Sequence, residues 1–291
     1  MIAWETLAQV LINGLITGGI YGLIALGLSI IFGVMRVINI AHGDFMMLGA
    51  YTSYWLFVYS GGLINPFISL IISVPLGFIV GVAIYWILVN RVVEAPELMS
   101  LLLMFGVSTF IANMALWAWT AYYRGIPYTL PSISIGSIVI PLCRLLAFIL
   151  AIAITFGLYV LFTKTYIGKA VRAVSQNRLA ASLMGIDVVK IFAFSFGLGA
   201  AIAFAAGSLI TMSVERAFDP YIGGHYTLLS FCIAVLGGLG SMRGALIGGL
   251  IIGLIESFTG GLFIPVSLVP AIYFAIMYLV LLFKPTGLMG R

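Results

Sequence analysis

Long apolar segments separated by short polar breaks run along the whole chain. They cover residues 7–34, 40–60, 67–90, 99–122, 142–163, 191–213, 227–242, 244–259 and 264–284. A helix needs about 20 mainly apolar residues to cross a bilayer, whereas a membrane barrel shows alternating stretches of about ten residues. The pattern therefore predicts an all-α, polytopic membrane protein. We expect eight or nine transmembrane helices in a single domain over residues 1–291.

The composition supports this class. Of the 291 residues, 63% are apolar and 7% are charged, whereas soluble domains have roughly 25% charged residues. The formal net charge of +5 is spread over the loops. We interpret it as a bias of membrane topology in a chain embedded in the lipid bilayer, and we expect no nucleic acid partner.

Residues 164–190 form the only long polar stretch, and they carry a large share of the basic residues. The basic side chains in this loop are Lys164, Lys169, Arg172, Arg178 and Lys190. Positive charge next to membrane spans collects on the cytoplasmic side, so we expect the loop in the cytosol. A long helix-forming loop there is a surface on which a soluble partner could act.

The remaining breaks suggest a topology. Counting outward from the loop and the basic C-terminal tail puts residues 91–97 inside and residues 123–141 outside. The outer stretch contains several prolines, which predicts an external loop or a short surface helix. Nine crossings place the N-terminus outside, and eight place it inside if one segment is re-entrant. The first span should be retained, because the N-terminal region carries Glu5 and no basic residue before it.

Discontinuous or re-entrant helices are expected where polar or glycine-rich stretches interrupt apolar segments, at residues 36–44, 218–225 and 236–244. Irregular backbone at membrane depth is tolerated only where protein buries it or a watery cavity faces it. Glycine-interrupted segments near both ends of a transporter point to its path. We therefore predict that Asn39–Asp44 and the Gly237–Gly240 turn approach a substrate path from opposite ends of the sequence. The candidate path residues are Asn13, Asn39, His42, Asp44, Gly237 and Gly238.

Several further polar residues, including Asn113, His225 and Glu256, lie in or next to apolar segments. Charges in such positions are costly and usually face the bundle interior or a cavity. For Asp44 and Glu256, a path or gating role and a structural role both remain open. A proton relay between His42 and Asp44 is a further alternative. No metal site is expected, since the spacing of His42 and His225 does not fit an H-E-x-x-H helix.

Small residues repeat at intervals of four in two segments. Gly14, Gly18 and Gly22 form one row, and Gly240, Gly244 and Gly248 form the other. This spacing lets membrane helices approach closely. The rows indicate packing within the chain, a subunit interface or a narrow pore.

Motifs for enzymatic chemistry are missing. The chain has no G-x-x-x-x-G-K-[ST] sequence for binding ATP and no G-x-S-x-G sequence for hydrolysis. Cys143 and Cys232 lie in apolar stretches and are expected to be packed thiols. We therefore expect no catalytic residues and no cofactor bound by this chain. If ATP drives the protein, another subunit must supply it.

Three stretches together resemble the LivH-type permeases, the membrane components of bacterial ABC importers for branched-chain amino acids. They are residues 13–27, 39–51 and 235–241. The loop resembles the ATPase-contacting segment of that family, and the likeness covers about residues 9–287. The resemblance assigns ATPase coupling to Gly168, Arg172, Gln176, Asn177, Arg178, Ala180, Ala181, Met184 and Gly185. Where the family commonly has an acidic residue before two alanines, this chain has Leu179. This departure puts the electrostatic part of the contact in doubt.

The resemblance implies a heteromeric importer of the bacterial inner membrane. A periplasmic solute-binding protein would deliver the solute, a second permease subunit would help to enclose the path, and two cytosolic ATPase subunits would use the ATP. Leucine, isoleucine and valine are the expected solutes, and urea or short amides are the alternative within the family. Within the loop we expect Ala170, Val171, Val174 and Met184 to offer apolar contacts to the ATPase.

Two other classes compete with this interpretation. An ion-coupled secondary transporter would use Asp44 or Glu256, but it leaves residues 164–190 without a role. A membrane-embedded enzyme would need clustered catalytic groups, and the two histidines and scattered carboxylates do not form such a cluster in the sequence.

Overall fold

The computed structural model describes residues 4–213, 217–262 and 268–290, and most of them are helical. In this part of the chain the helices are α1 (Trp4–Met35), α2 (His42–Tyr59), α3 (Pro66–Ile87), α4 (Glu97–Trp119), α5 (Leu142–Lys164), α6 (Tyr166–Gln176), α7 (Arg178–Leu183), α8 (Val188–Ser213), α9 (Ile222–Gly237), α10 (Met242–Leu262) and α11 (Val269–Phe283). A single turn of 3₁₀ helix, Val89–Arg91, follows α3. The strands β1 (Ser132–Ile135) and β2 (Ile138–Pro141) pair in an antiparallel hairpin.

The length and composition of these helices confirm a polytopic helical membrane protein. Among the described residues, 6 helices are long and apolar enough to cross a membrane, namely α1, α3 with its 3₁₀ turn, α4, α5, α8 and α10. The apolar helices α9 and α11 are shorter. The number of crossings therefore stays a prediction.

The glycine row on α1 holds this helix against α10, whereas Gly244 and Gly248 of the other row pack on α9. A Cβ atom at Gly18 would lie 2.7 Å from the Cα of Leu250, and one at Gly22 would lie 3.1 Å from the Cα of Leu246. Since the contacted residue number falls as the glycine number rises, the two helices are antiparallel. The backbones touch because no side chains intervene, which is how helices pack where lipid offers no hydrophobic drive. The predicted glycine rows thus pack within the chain.

The pair formed by α3 and α8 repeats this arrangement. A Cβ atom at Gly81 would lie 2.6 Å from the Cβ of Ala200, and Gly77 faces Phe204. The hydroxyl oxygens of Ser73 and Ser208 lie 2.8 Å apart. Helices α1 and α8 also touch each other, because a Cβ at Gly27 would lie 2.8 Å from the carbonyl oxygen of Gly199. The contact between α1 and α8 therefore joins the two pairs.

One end of the bundle, which we call the hairpin end, carries residues 120–141. The hairpin is fixed to α1 by Gln9, whose side chain donates to the Val139 carbonyl at 3.0 Å and accepts from the Val139 amide at 2.8 Å. The alternative of a short surface helix in this region is wrong, because the prolines and β-branched residues form an extended segment and a hairpin. Exposed aromatic side chains surround this end, at Tyr59, Trp117, Tyr122 and Tyr123, as expected at a membrane interface.

The opposite end, which we call the loop end, carries α6 and α7. Residues 123–141 and 164–190 thus lie at opposite ends of α5, and their placement on different sides of the membrane stays a prediction. The predicted apolar segment 227–242 is displaced in the structure, because α9 spans Ile222–Gly237 and ends at Gly238, which has a φ of +101°. The predicted break at residues 236–244 lies at this point.

Candidate functional site

The chain turns back into the bundle after α1. Arg36 has a φ of +58°, which is uncommon for a residue other than glycine. Val37 is 2% exposed and Asn39 is 1% exposed. A nitrogen of the His42 ring, Nε2, then lies 2.8 Å from the carbonyl oxygen of Ile24. Since Ile24 is about 16 Å before the end of α1 along its axis, residues 36–41 run back to mid-bundle and α2 begins there.

The start of α2 packs directly against α9. The backbone N–H of Gly43 donates to the Thr227 hydroxyl at 2.9 Å, and this hydroxyl donates to the Ile40 carbonyl at 2.9 Å. A Cβ atom at Gly43 would lie 2.6 Å from the Thr227 nitrogen. Only glycine allows this approach. Thr227 thus satisfies the Ile40 carbonyl of the break and the Gly43 amide of α2.

Three of the predicted path residues at this break, Asn39, His42 and Asp44, are buried and polar. The side-chain amide of Asn39 has no hydrogen-bond partner among the described residues, and the Oδ2 atom of Asp44 likewise has none there. The Asp44 carboxylate does interact with the Ser108 hydroxyl on α4. A buried polar group without a partner costs about 1–3 kcal/mol. The break therefore lowers the stability of the folded chain. Unpaired buried groups of this kind are typical of segments with a functional or conformational role.

The Gly237–Gly240 turn packs on the last turn of α1, because a Cβ atom at Gly240 would lie 3.0 Å from the Cα of Gly33. The carbonyls of Leu236 and Gly237 accept hydrogen bonds of 2.9 Å from the Leu288 and Met289 amides. Gly237 also packs on Gly244. The C-terminal segment therefore closes this turn at the loop end of the bundle.

The expectation that both breaks approach one substrate path stays a prediction. Thr227, which contacts the start of α2, and Gly237 are about 15 Å apart along α9. The first break therefore lies near the Gly237–Gly240 turn only where it begins, after Gly33, and its far end at the start of α2 lies deeper in the bundle. Asn13 is remote from both, since it accepts a hydrogen bond of 3.2 Å from Gln9 near the hairpin end. The sequence could not show this arrangement, because polarity does not indicate depth in the bundle.

A cavity of about 390 Å³ opens beside α9. Its polar lining includes Asp219, His225 and Glu256, and aromatic rings of Tyr21 and Tyr273 form part of the wall. This combination of carboxylates, an imidazole and apolar rings can accommodate a small solute with a charged head and an apolar side chain. The sequence singled out His225 and Glu256 only as polar residues in apolar segments. It missed Tyr21 and Tyr273, because an aromatic residue in a span gives no signal of its own.

The loop at residues 164–190 folds into the two short helices α6 and α7. Thr165 caps α6 by accepting from the Gly168 amide at 3.1 Å, and Asn177 caps α7 by accepting from the Ala180 amide at 3.0 Å. Gly168 packs on Phe162 of α5, where a Cβ atom would overlap the backbone. The loop is thus a structured element fixed to the bundle.

The predicted coupling residues differ in their exposure to solvent. Those on the surface are Arg172, Gln176, Asn177, Ala180, Met184 and Gly185. Gly168 and Ala181 are buried and Arg178 is half-buried, so these three pack inside the chain. The apolar contacts expected from Ala170, Val171 and Val174 are not available to a partner, because the bundle buries all three. Exposed apolar surface lies instead on Leu179, Leu183 and Met184.

No metal centre is present in the part of the chain that the structure describes, since no group of three or more His, Cys, Asp or Glu residues there could hold an ion. Both cysteines are buried free thiols.

Comparison with known proteins links these features to transport. Residues 10–281 match the family model described as "Branched-chain amino acid transport system / permease component". The chain is 32% identical to the high-affinity branched-chain amino acid transport system permease protein BraD of Pseudomonas aeruginosa, over 97% of this chain and 95% of that protein.

Further relatives extend the comparison. The chain is 31% identical to the permease protein LivH of Escherichia coli K12, again over 97% of this chain and 95% of the relative. It is 21% identical to the probable permease LivM of Methanocaldococcus jannaschii, over 93% of this chain and 90% of the relative. No solved structure matches the chain.

Proposed function

Because the chain belongs to the family of permease components of branched-chain amino acid transport systems, we propose that it is an inner-membrane permease subunit that carries leucine, isoleucine and valine into the cell. It is a multi-pass membrane protein with a transport role. Its energy comes from ATP hydrolysed by two cytosolic ATPase subunits. This chain itself binds no cofactor.

The exposed apolar surface of the loop is the most direct support for the proposal of an ATPase partner. Leu183 is 79% exposed and Met184 is 82% exposed, and they lie at the loop end beside basic residues rather than within a span. Large apolar side chains exposed to water together usually mark a contact surface. Leu179 extends this surface, so apolar contact replaces the acidic residue that the family commonly has.

A second permease subunit completes the membrane part. The similarity to both LivH and LivM proteins supports a partner of the same fold, because two related permeases occur under these names. A periplasmic binding protein delivers the solute at the hairpin end. ATP-driven closure of the ATPases then moves α6 and α7 and rocks the helices around the path, which exposes the solute alternately to the two sides.

The cavity beside α9 is the candidate entrance for the solute in this chain. A branched-chain amino acid combines an ammonium group, a carboxylate and an apolar side chain. The carboxylates of Asp219 and Glu256 suit the ammonium group, and Leu229 and Tyr273 offer apolar contact to the side chain.

Reconstitution tests this function. The complete complex in proteoliposomes, with its binding protein outside and ATP inside, should accumulate labelled leucine after an ionophore has collapsed the proton gradient. Uptake that requires the gradient but not ATP would instead identify a secondary transporter. Uptake of urea or acetamide without leucine would assign a different solute.

The contact surface has its own test. Leu183→Asp should remove the ATPase from the purified complex, because burying an unpaired carboxylate in an apolar contact is unfavourable. Leu63→Asp is the matched control, since Leu63 is as exposed but lies at the hairpin end. Equal ATPase recovery with both variants would contradict the assignment of this surface.

A further inference from the structure

Arg178 is the first residue of α7, and its side chain reaches into the bundle rather than toward the cytosol. Its Nη2 atom donates a hydrogen bond of 2.7 Å to the carbonyl oxygen of Met35. Its guanidinium carbon also lies 4.9 Å from the ring centre of Phe192, a buried residue of α8. One side chain therefore joins α7 to both α1 and α8.

The Met35 carbonyl, which accepts the hydrogen bond from Arg178, lies where α1 ends and the buried break begins. Met35 ends α1, and the last carbonyls of a helix have no partner within the helix. A positive charge there is also favourable for the helix dipole. The next residue, Arg36, adopts the positive φ that turns the chain into the buried segment 36–41. The guanidinium of Arg178 thus holds the backbone where the break begins.

The other face of α7 is free to meet a partner. Asn177 separates α6 from α7 with an extended φ of −154° and caps the second helix, so α7 can tilt as one short unit. Leu179 and Leu183 are exposed on it, whereas Arg178 and Ala181 face the bundle. If a partner displaces α7 by contact with its exposed face, the hydrogen bond between Arg178 and the Met35 carbonyl must therefore lengthen or break.

A small space beside Arg178 allows it to move. A pocket of about 180 Å³ is lined by Arg178, Arg36, Glu94 and Glu97. Among the residues that the structure describes, Arg178 forms no ion pair with either carboxylate. The guanidinium can therefore leave the Met35 carbonyl and still find an acceptor within the same pocket.

We propose that Arg178 is the positioning residue that transmits movement of α7 to the end of α1 and to the buried segment 36–41, without itself contacting the ATPase. This inference rests on the proposed function, because the movement comes from the ATPase partner. In this arrangement, the exposed surface of the loop binds the partner, and the Arg178 side chain alone transmits the movement of α7 to the bundle.

The test compares Arg178→Ala with Arg91→Ala, because Arg91 is an exposed arginine of the 3₁₀ turn that follows α3. In the complete reconstituted complex, R178A should retain the ATPase and its hydrolysis. Leucine uptake per ATP should fall by about tenfold or more, as expected for loss of a hydrogen bond to a charged group. R178K should restore part of this ratio, and R91A should leave the ratio unchanged. Loss of the ATPase from R178A, or an unchanged ratio, would overturn the proposal.

A second measurement reports on the break itself. Val37→Cys introduces a thiol into the buried segment, and the parent chain with its two buried cysteines provides the background. The rate of labelling with a maleimide should change between nucleotide-free and ATP-bound complexes, and R178A should abolish this change. A purely structural role of Arg178 would leave the ATP-dependent change in place and refute the inference. A complex that responds to ATP at Val37 but does not carry leucine would contradict only the proposed solute.

Discussion

The Nε2 atom of His42 lies 2.8 Å from the carbonyl oxygen of Ile24, and this contact fixes the start of α2 against the middle of α1. Because a carbonyl only accepts hydrogen bonds, Nε2 must carry the proton. The ring is fully buried, so the hydrogen bond to Ile24 replaces the one to water that Nε2 loses on burial. His42 therefore anchors the return of the chain after the break, and this role needs no proton relay with Asp44.

Replacing His42 with Leu should lower the free energy of unfolding by about 1–3 kcal/mol, since a buried hydrogen bond is lost while its neighbours stay buried. Denaturant unfolding of the detergent-purified protein measures this change. Asn113→Leu is the matched control, because Asn113 is exposed on α4 and bonds only to the Thr109 carbonyl of its own helix. If both variants unfold alike, the contact of His42 with Ile24 is not a stabilising one.

The contact between α1 and α10 gives a second prediction. Gly18→Leu should prevent the two helices from docking, because even a Cβ atom at Gly18 lies 2.7 Å from the backbone of Leu250. Overpacking usually costs about 1–3 kcal/mol, and backbone contact raises this cost. Gly106→Leu should be nearly neutral, since nothing lies within 4 Å of a Cβ at Gly106. Thermal unfolding and yield of the two variants check the prediction, and equal losses would contradict it.

Much of this fold can be predicted from the sequence, because the bilayer restricts which structures a chain can form. A lipid environment demands long apolar helices, so the order of the spans and the breaks near Arg36 and Gly238 can be predicted from polarity alone. The glycine row at Gly14, Gly18 and Gly22 likewise predicts a close contact. The sequence does not identify α10 as the partner, because a row of small residues can pack closely on any helix that has no large side chains at the contact.

The candidate site was less predictable. His42 and Asp44 were recognisable because polar groups in a span need a partner. That partner is a backbone carbonyl for His42 and Ser108 for Asp44, and neither gives a sequence signal. The amphipathic loop was clear, but its buried and exposed faces depend on how α6 docks on α5. The sequence therefore groups Arg178 with the exposed coupling residues, whereas in the structure it bonds to the Met35 carbonyl.

The turn at Gly237 and Gly238 gives a third prediction, which differs from a simple block of the path. Gly238 has a φ of +101°, and a Cβ there would also lie 2.8 Å from the Cα of Gly290. Gly238→Leu should therefore detach the C-terminal segment as well as impair transport. Limited proteolysis near Lys284 should become faster than in wild type. Wild-type protease resistance with transport lost would instead favour a direct role of this glycine in the path.

The orientation in the membrane gives the last prediction. Ser175 on α6 and Ser132 on β1 are both exposed and lie at opposite ends of the bundle. Because basic residues concentrate around Ser175, that end should face the cytosol. A membrane-impermeant thiol reagent should label Ser132→Cys in cells whose inner membrane is intact, and it should label Ser175→Cys only after that membrane is opened. The parent chain should stay unlabelled, since Cys143 and Cys232 are buried. The reverse labelling pattern would invert the topology and would place α7 out of reach of any cytosolic ATPase.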